Sequence, residues 1–431
     1  MNGPMIGCIA DDITGATDLS DALTRRGIST TQLFGSPEGT LTHRTRAVVV
    51  GLKTRNLPAE DAVAQSVASL RWLLAQGMTH VVVKYCSTFD STAAGNIGPV
   101  VDALADELAA ALVLHSPSYP ANGRTVYQGH LFLGTSLLSE TGMRDHPLTP
   151  MTDSNLVQVL RAQTPRSVGL LPLTTVRQRD GASQLALDAL LHDGVRHVIA
   201  DAVDDDDLDA LARLASLAGH RLAAGGAAFG AAFAAATVGR DHLSTELPAA
   251  PKGGRAILVG SASVASRQQV AAFAGVGVAS LVLRPEDLDT DRTALNRAVA
   301  WATKRIVDST VMVSVEREPG ALVRSQQTLG QDRAAALIEQ AMGQLAVALV
   351  QAGVHRLIVA GGETSGAVVD ALGVRKVRIG PSISTGVPWT VWTSDANDAD
   401  IAIAFKSGNF GGEHFFSDAF ACFDGDKWRN R

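Results

Sequence analysis

The segment Met5–Ala22, MIGCIADDITGATDLSDA, decides the architecture: an apolar run, Met5–Ala10, leads straight into two aspartates, and Leu19–Arg26 then reads as a helix. A short apolar strand delivering polar residues to the start of a helix is the repeating unit of parallel α/β sheets. Outward from it the pattern recurs. Ala47–Leu52, His80–Lys84, Ala111–His115, Val168–Pro172 and His197–Ala202 read as strands, with helical patterns between most of them, such as Ala59–Met78 and Ala182–His192. Thr125–Gly134 is an exception, with a glycine between two apolar runs, and reads as an inserted hairpin above the sheet. The alanine-rich stretch Leu222–Ala236 suits a close-packed helix or turn.

Between Val238 and Arg255 the pattern dissolves into turn formers, with Pro248, Pro251, Gly253 and Gly254 clustered before a new strand at Ala256–Val259. A domain boundary belongs there, with domains at 1–240 and 250–431. Strands at Val278–Leu283, Val311–Val315, Arg356–Ala360 and Ile401–Phe405, with helices at Ala265–Ala274 and Arg333–Gln351, restart the alternation. The expected fold is two α/β domains, each a largely parallel sheet with helices on both faces, and an active site in the cleft between them.

Composition narrows the function. Of 431 residues, 46% are apolar and 19% charged, a globular balance, and the net charge of -6 offers no basic face for nucleic acid. Cys8, Cys86 and Cys422 are too scattered for a zinc knuckle or a disulfide framework, which suits a reducing cytoplasm. No apolar run is long enough for a membrane span and no basic leader opens the chain. Small molecules are the expected partners, and a homo-oligomer is compatible with the chain.

Ligands of open α/β sheets sit outside the carboxyl ends of the strands, where Asp11 and Asp12 stand. Either one carboxylate orients a substrate hydroxyl while the other takes its proton, or one merely caps the following helix. Their mutual repulsion would raise one pKa. Lys84 ends a run of three valines and precedes Ser87, Thr88, Gly95 and Asn96, a set of donors suited to a carboxylate with hydroxyl neighbours. Lys53 and Arg55 form a weaker version after Ala47–Leu52, and Cys86 reads as a packing residue. His130 and His146 lie in the polar middle of the first domain, and no histidine pair has metal-ligand spacing.

Three glycine-rich junctions follow strands in the second half: Gly260–Ser263, Gly361–Gly366 and Lys406–Gly412. Glycines permit close backbone approach to phosphate, and helix N-termini supply amide donors, so the three together indicate a nucleotide site. Neither a GxxxxGK[ST] loop nor a GxGxxG after the first strand occurs, which disfavours the P-loop and dinucleotide classes, a dehydrogenase among them.

The segments IADDITGATDLSDAL, KYCSTFDSTAAGNIGPV, YPANGRTVYQGHLFLG, SETGMRDHPLTPMTDSNL, GGETSGAVVDALG and KSGNFGGEHFF resemble the four-carbon acid sugar kinase family over essentially the whole chain. The middle block is most similar to kinases of 3-oxo-tetronate. The resemblance implies a sugar-acid domain at 1–240, a nucleotide domain at 250–431, and ATP with Mg2+. It places Asp11, Asp12, Lys84, Ser87, Thr88, Gly95 and Asn96 at the sugar acid; from its place at the strand end beside the helix start, Asp12 is the expected base, with Asp11 the reverse choice. It places Ser261 or Ser263, Gly361, Gly362, Glu363, Thr364 and Gly408 at ATP; Glu363 is separately a candidate ligand for the Mg2+ that phosphoryl transfer from ATP normally needs. The expected reaction is phosphorylation at C4, against two alternatives: a threonate or erythronate kinase, and a non-catalytic sensor of sugar acid and nucleotide.

Overall fold

The computed structural model describes residues 4–41, 45–146, 148–178, 181–239, 248–275, 277–306, 309–315, 320–394 and 398–424. The chain separates into two compact units, Met1–Thr245 and Glu246–Arg431. Most of the polar segment between them, 240–247, lies outside the described residues.

In the N-terminal unit the strands of the sheet are β1 (Ile6–Ala10), β2 (Thr30–Phe34), β3 (Ala47–Gly51), β4 (His80–Lys84), β5 (Val113–Ser116), β9 (Ser167–Leu171), β10 (Val195–Ala200) and β11 (Leu222–Gly225). They pair in the order β2-β3-β1-β4-β11-β5-β10-β9, every pair parallel. Because successive side chains point to opposite faces, Cys8, Val82 and Ala223 join one core and Ile9, Val81, Val83 and Ala224 the other. Helices therefore cover both faces, and the strands read as continuous apolar runs.

Two local readings change. The first helix starts at Ile13, not Leu19, and runs to Arg25, because Asp12 caps it by accepting the Gly15 amide at 2.9 Å. Thr14, Gly15 and Thr17, which precede the expected start, lie in its first two turns. In the alanine-rich stretch only Ala227–Val238 is helical, and Leu222–Gly225 forms β11 between β4 and β5. Alanine and glycine have low strand propensity, but a strand buried on both faces is held by its neighbours. A glycine in the following helix lets that helix pack closely, since a Cβ on Gly230 would stand 3.0 Å from Val82 and 3.1 Å from Leu19.

The expected hairpin is β6 (Arg124–Tyr127) and β7 (His130–Leu133), extended by β8 (Ser136–Leu137). Gln128 and Gly129 both have positive φ, as a two-residue type I′ turn demands. Asp201, just past β10, receives the amides of Gln128, Gly129 and Leu173 at 2.7–3.0 Å and ties the hairpin tip to that strand end.

The C-terminal unit contains β12 (Gly254–Val259), β13 (Ala279–Leu283), β14 (Val311–Val315), β15 (Val354–Ala360), β16 (Lys376–Ser384), β17 (Val387–Thr393) and β18 (Asp400–Lys406), in the order β13-β14-β12-β15-β18-β17-β16. The first five in that order are parallel, and β17 and β16 follow as antiparallel neighbours. Helix Gln331–Gln351 contains a stretch, Asp332–Gln351, apolar and long enough to cross a membrane. Its Ala341, Met342, Leu345, Ala346 and Leu349 are buried in the unit, which is the behaviour of a core helix.

Candidate active site

In the N-terminal unit the carboxyl ends of three adjacent strands, β3, β1 and β4, gather the charged residues. The backbone fixes them first. The Asp11 amide donates to the Lys84 carbonyl at 3.0 Å, and the Asp11 carbonyl accepts the amides of Thr54 and Arg55 at 2.9 and 3.1 Å. On that frame the Arg55 guanidinium forks onto both carboxylates: Nε to Asp11 Oδ2 at 2.9 Å, Nη2 to Asp11 Oδ1 and to Asp12 Oδ1 at 2.7 Å each. Asp12 also accepts from the Thr14 hydroxyl at 2.6 Å and the Gly15 amide at 2.9 Å. It is therefore cap and cluster member at once.

Lys84 is 3% exposed and donates to the Tyr85 carbonyl at 3.0 Å, with its Nζ 4.0 Å from Asp18 Oδ2. Gly15 makes the approach feasible, because a Cβ there would run into Asp12 Oδ1 and stand 2.9 Å from the Lys84 ammonium. Asp18, which also accepts from Tyr119 Oη at 3.0 Å, was not singled out in the sequence.

Electrostatics separate the carboxylates. Burial raises the pKa of Asp11 more than Arg55 lowers it, and the Asp12 charge adds to the rise. Burial pushes Asp12 the same way, but Arg55, Lys84, Thr14 and the Gly15 amide together outweigh it and hold that carboxyl below the usual range. Asp18 is pushed up by burial to about 7, against the pull of Lys84. Burial, with Asp90 adding to it, pushes the Cys86 thiol to about 12, which makes it a poor nucleophile.

The remaining candidates occupy the loop after β4. Asn96 Nδ2 reaches the carbonyls of Thr54, Arg55 and Leu57 at 2.8, 3.3 and 3.1 Å, so it holds the loop that carries Arg55. Thr88 donates to Asp90 at 2.6 Å, and Ser87 is buried beside it. Gly95 leaves room for its own chain, since a Cβ would strike Ser91 Oγ and approach Gln163 Nε2 to 2.9 Å. Ile9, Asp11, Thr54, Lys84, Tyr85 and Asn96 help line a small cavity, and Ser87, Thr88 and Gly95 do not. Arg55 is the residue that sequence reasoning undervalued. Its signal was a cation just beyond β3, the strand next to β1.

Behind this cluster runs a buried polar chain. Tyr85 Oη is 3.4 Å from His115 Nδ1, His115 Nε2 is 3.0 Å from His197 Nδ1, and His197 Nε2 is 2.7 Å from Asp102.

In the C-terminal unit β12, β15 and β18 are neighbours, so their glycine-rich junctions meet at one sheet edge. The amides of Gly260 and Ser261 both donate to the Ala360 carbonyl, and the Gly361 amide donates to Lys406 O at 2.8 Å. Ser263 caps helix Val264–Ala274 and donates to the Gly408 carbonyl at 2.7 Å. Ser261 Oγ accepts the Ser263 amide at 3.2 Å, and a Cβ on Gly408 would stand 2.5 Å from that hydroxyl oxygen. Gly361 has φ +128, and a Cβ there would meet Thr364 Oγ1 at 2.8 Å. Helix Gly362–Leu372 follows, and the first-turn amides of Gly362, Glu363 and Thr364 have no intrahelical acceptor. An edge built from three glycine turns and a helix N-terminus suits phosphate. The structure thus brings Ser261, Ser263, Gly361–Thr364 and Gly408 to one place.

Residues 6–233 match the model of a sugar-binding N-terminal domain, and 256–416 that of a nucleotide-binding C-terminal domain. A 3-oxo-tetronate kinase of Pseudomonas savastanoi pv. phaseolicola is 44% identical, covering 96% of both chains, and one of Cupriavidus necator is 45% identical over the same shares. A solved structure from Salmonella typhimurium LT2, described as a tRNA synthase, superposes with a TM-score of 0.82 at 39% identity, covering 96% of this chain and 98% of that one. Domain models across both halves and relatives this similar over nearly their whole length establish that the chain belongs to the four-carbon acid sugar kinase family.

Proposed function

We infer that the protein transfers the γ-phosphoryl group of ATP to the C4 hydroxyl of 3-oxo-tetronate. The observation that carries this reading is the end-to-end similarity to 3-oxo-tetronate kinases, joined to a carboxylate cluster in the sugar-binding unit and a glycine edge in the nucleotide-binding unit.

In this reading Asp12 accepts the C4 proton as the C4 oxygen forms its bond to γ-phosphorus. The bond from γ-phosphorus to the β,γ-bridging oxygen breaks, and its electron pair leaves with ADP. Both Asp11 oxygens are engaged by the Arg55 fork, whereas among the described residues Asp12 Oδ2 is met only by the Thr14 hydroxyl. A low pKa suits a group that must be ionised, because loose phosphoryl transfer asks more of orientation than of base strength. Asp11 orients hydroxyls, and Lys84 supplies positive charge for the substrate carboxylate. Ser87, Thr88, Gly95 and Asn96 shape the loop beside them, Asn96 through its hold on 54–57.

Ser261 or Ser263, Gly361–Thr364 and Gly408 receive ATP. Mg2+ takes hard oxygen ligands and keeps most of its shell from phosphate and water, so the Glu363 carboxylate beside the phosphate turn fits it. When bound, the ion neutralises β- and γ-phosphate charge.

ADP release across four-carbon acids with and without the C3 ketone tests the assignment. Preference for the ketone acid is expected. Preference for threonate or erythronate would move the substrate within the family, and no ADP release with any acid would leave a sensor.

A further inference from the structure

Lys406 ends β18 and is completely buried. Its ammonium donates to the carbonyls of Ser407 and Gly408 at 2.8 and 3.0 Å, lies 3.5 Å from Ser266 Oγ, and sits 5.8 Å from the centre of the Phe415 ring. These are neutral partners. No carboxylate among the described residues pairs with it, and burial alone moves its pKa down, to about 7. An uncompensated buried cation is costly, and a chain that only needed to tie down a turn has cheaper donors. Two such donors are present already, because the Gly408 carbonyl also accepts from Ser263 at 2.7 Å and Ser266 at 2.9 Å. What the lysine adds is charge. That charge lies directly beneath the Ser407–Gly408 turn and beside the serine-capped helix, at the edge where three glycine turns meet.

We propose that Lys406 is the fixed countercharge for the nucleotide's phosphates, a positioning residue that acts through the Ser407–Gly408 turn. This rests on the assignment of ATP to this unit. A phosphate on the far side of the turn gives the ammonium the anion that the protein does not. The turn, polarised by the cation behind it, becomes a better seat for negative charge.

The test compares Lys406→Met and Lys406→Gln with the unaltered protein, measuring dissociation constants for ATP and for adenosine. Both variants are first checked by circular dichroism. The methionine variant should be at least as heat-stable as the parent without ligand, since a buried charge is replaced by an apolar chain of similar length. ATP binding should weaken about ten- to a hundredfold in both, the scale of a lost charged contact, while adenosine binding stays unchanged. Lys406→Gln isolates the charge, because its amide still donates to the turn. Parental ATP affinity in Lys406→Gln overturns the proposal in favour of a neutral clamp. Equal loss of ATP and adenosine overturns it in favour of a purely structural role. Absence of ATP binding by the unaltered protein would instead defeat the nucleotide assignment itself.

Discussion

The two candidate sites are built from opposite materials. At the ends of β3, β1 and β4 the groups that matter are side chains: Asp11, Asp12, Arg55, Lys84 and Asp18 form a buried network of alternating charge. At the ends of β12, β15 and β18 they are main-chain amides and carbonyls, trimmed by serines and backed by one lysine. On the proposed assignment, the difference follows from the ligands. A small acid bearing hydroxyls needs donors and acceptors aimed at individual atoms, whereas a polyphosphate needs many amides and no obstruction. The first site should therefore fail through lost charge, and the second through added bulk as well as through loss of the Lys406 charge.

The largest effect is expected from Asp12→Asn. Asparagine caps a helix as well as aspartate does, so the fold and ATP affinity should persist while kcat falls at least about a hundredfold. Near-normal kcat, with the loss appearing in Asp11→Asn instead, would exchange the two roles. The pH dependence of kcat/KM for the acid is an independent check. Asp12 has its folded pKa below the ordinary 3.8, so it stays ionised to lower pH, and the acid limb should lie below that value. Asp11 and, to about 7, Asp18 are shifted upward, so a limb above 3.8 would point away from Asp12.

Next in size, Lys84→Met should raise the KM for the sugar acid about tenfold or more, the scale of a charged hydrogen bond, and leave the KM for ATP nearly constant. An unchanged acid KM would confine Lys84 to holding Asp18 and the Tyr85 carbonyl. Gly361→Ala should do the reverse, raising the KM for ATP by roughly tenfold, because a side chain at φ +128 is strained and meets Thr364. An equal rise for the acid would break the contrast between the sites. The smallest effect belongs to Asn96→Ala, which frees the 54–57 loop. One net hydrogen bond is worth about 1 kcal/mol, so melting of a unit this size should drop by about 2–4 °C. Acid KM should rise modestly through Arg55.

Much of this was legible in the sequence for physical reasons. Parallel strands buried on both faces, such as Ala47–Gly51 and His80–Lys84, announce themselves as apolar runs, and three glycine junctions after strands stand out. Ala-Ala-Gly in β11 has no intrinsic strand signal, because its conformation is imposed by β4 and β5. Arg55 stayed in the background because its importance lies in reaching residues 43 and 44 positions away, a distance that no local pattern encodes. Lys406 was visible only as the first letter of a glycine-rich motif, and its lack of a carboxylate partner is a fact of packing.

The buried line from Tyr85 to Asp102 has a direction. Asp102, held below the usual carboxylate range chiefly by its bond to His197 against the opposing pull of burial, accepts, so His197 carries its proton on Nε2. His197 Nδ1 then faces His115 Nε2 as the acceptor, and His115 Nδ1 in turn accepts from the Tyr85 hydroxyl. Nitrogen chemical shifts of the two rings read these tautomers directly. The Tyr85 hydroxyl thereby spends its hydrogen on His115 and can serve any further group only as an acceptor.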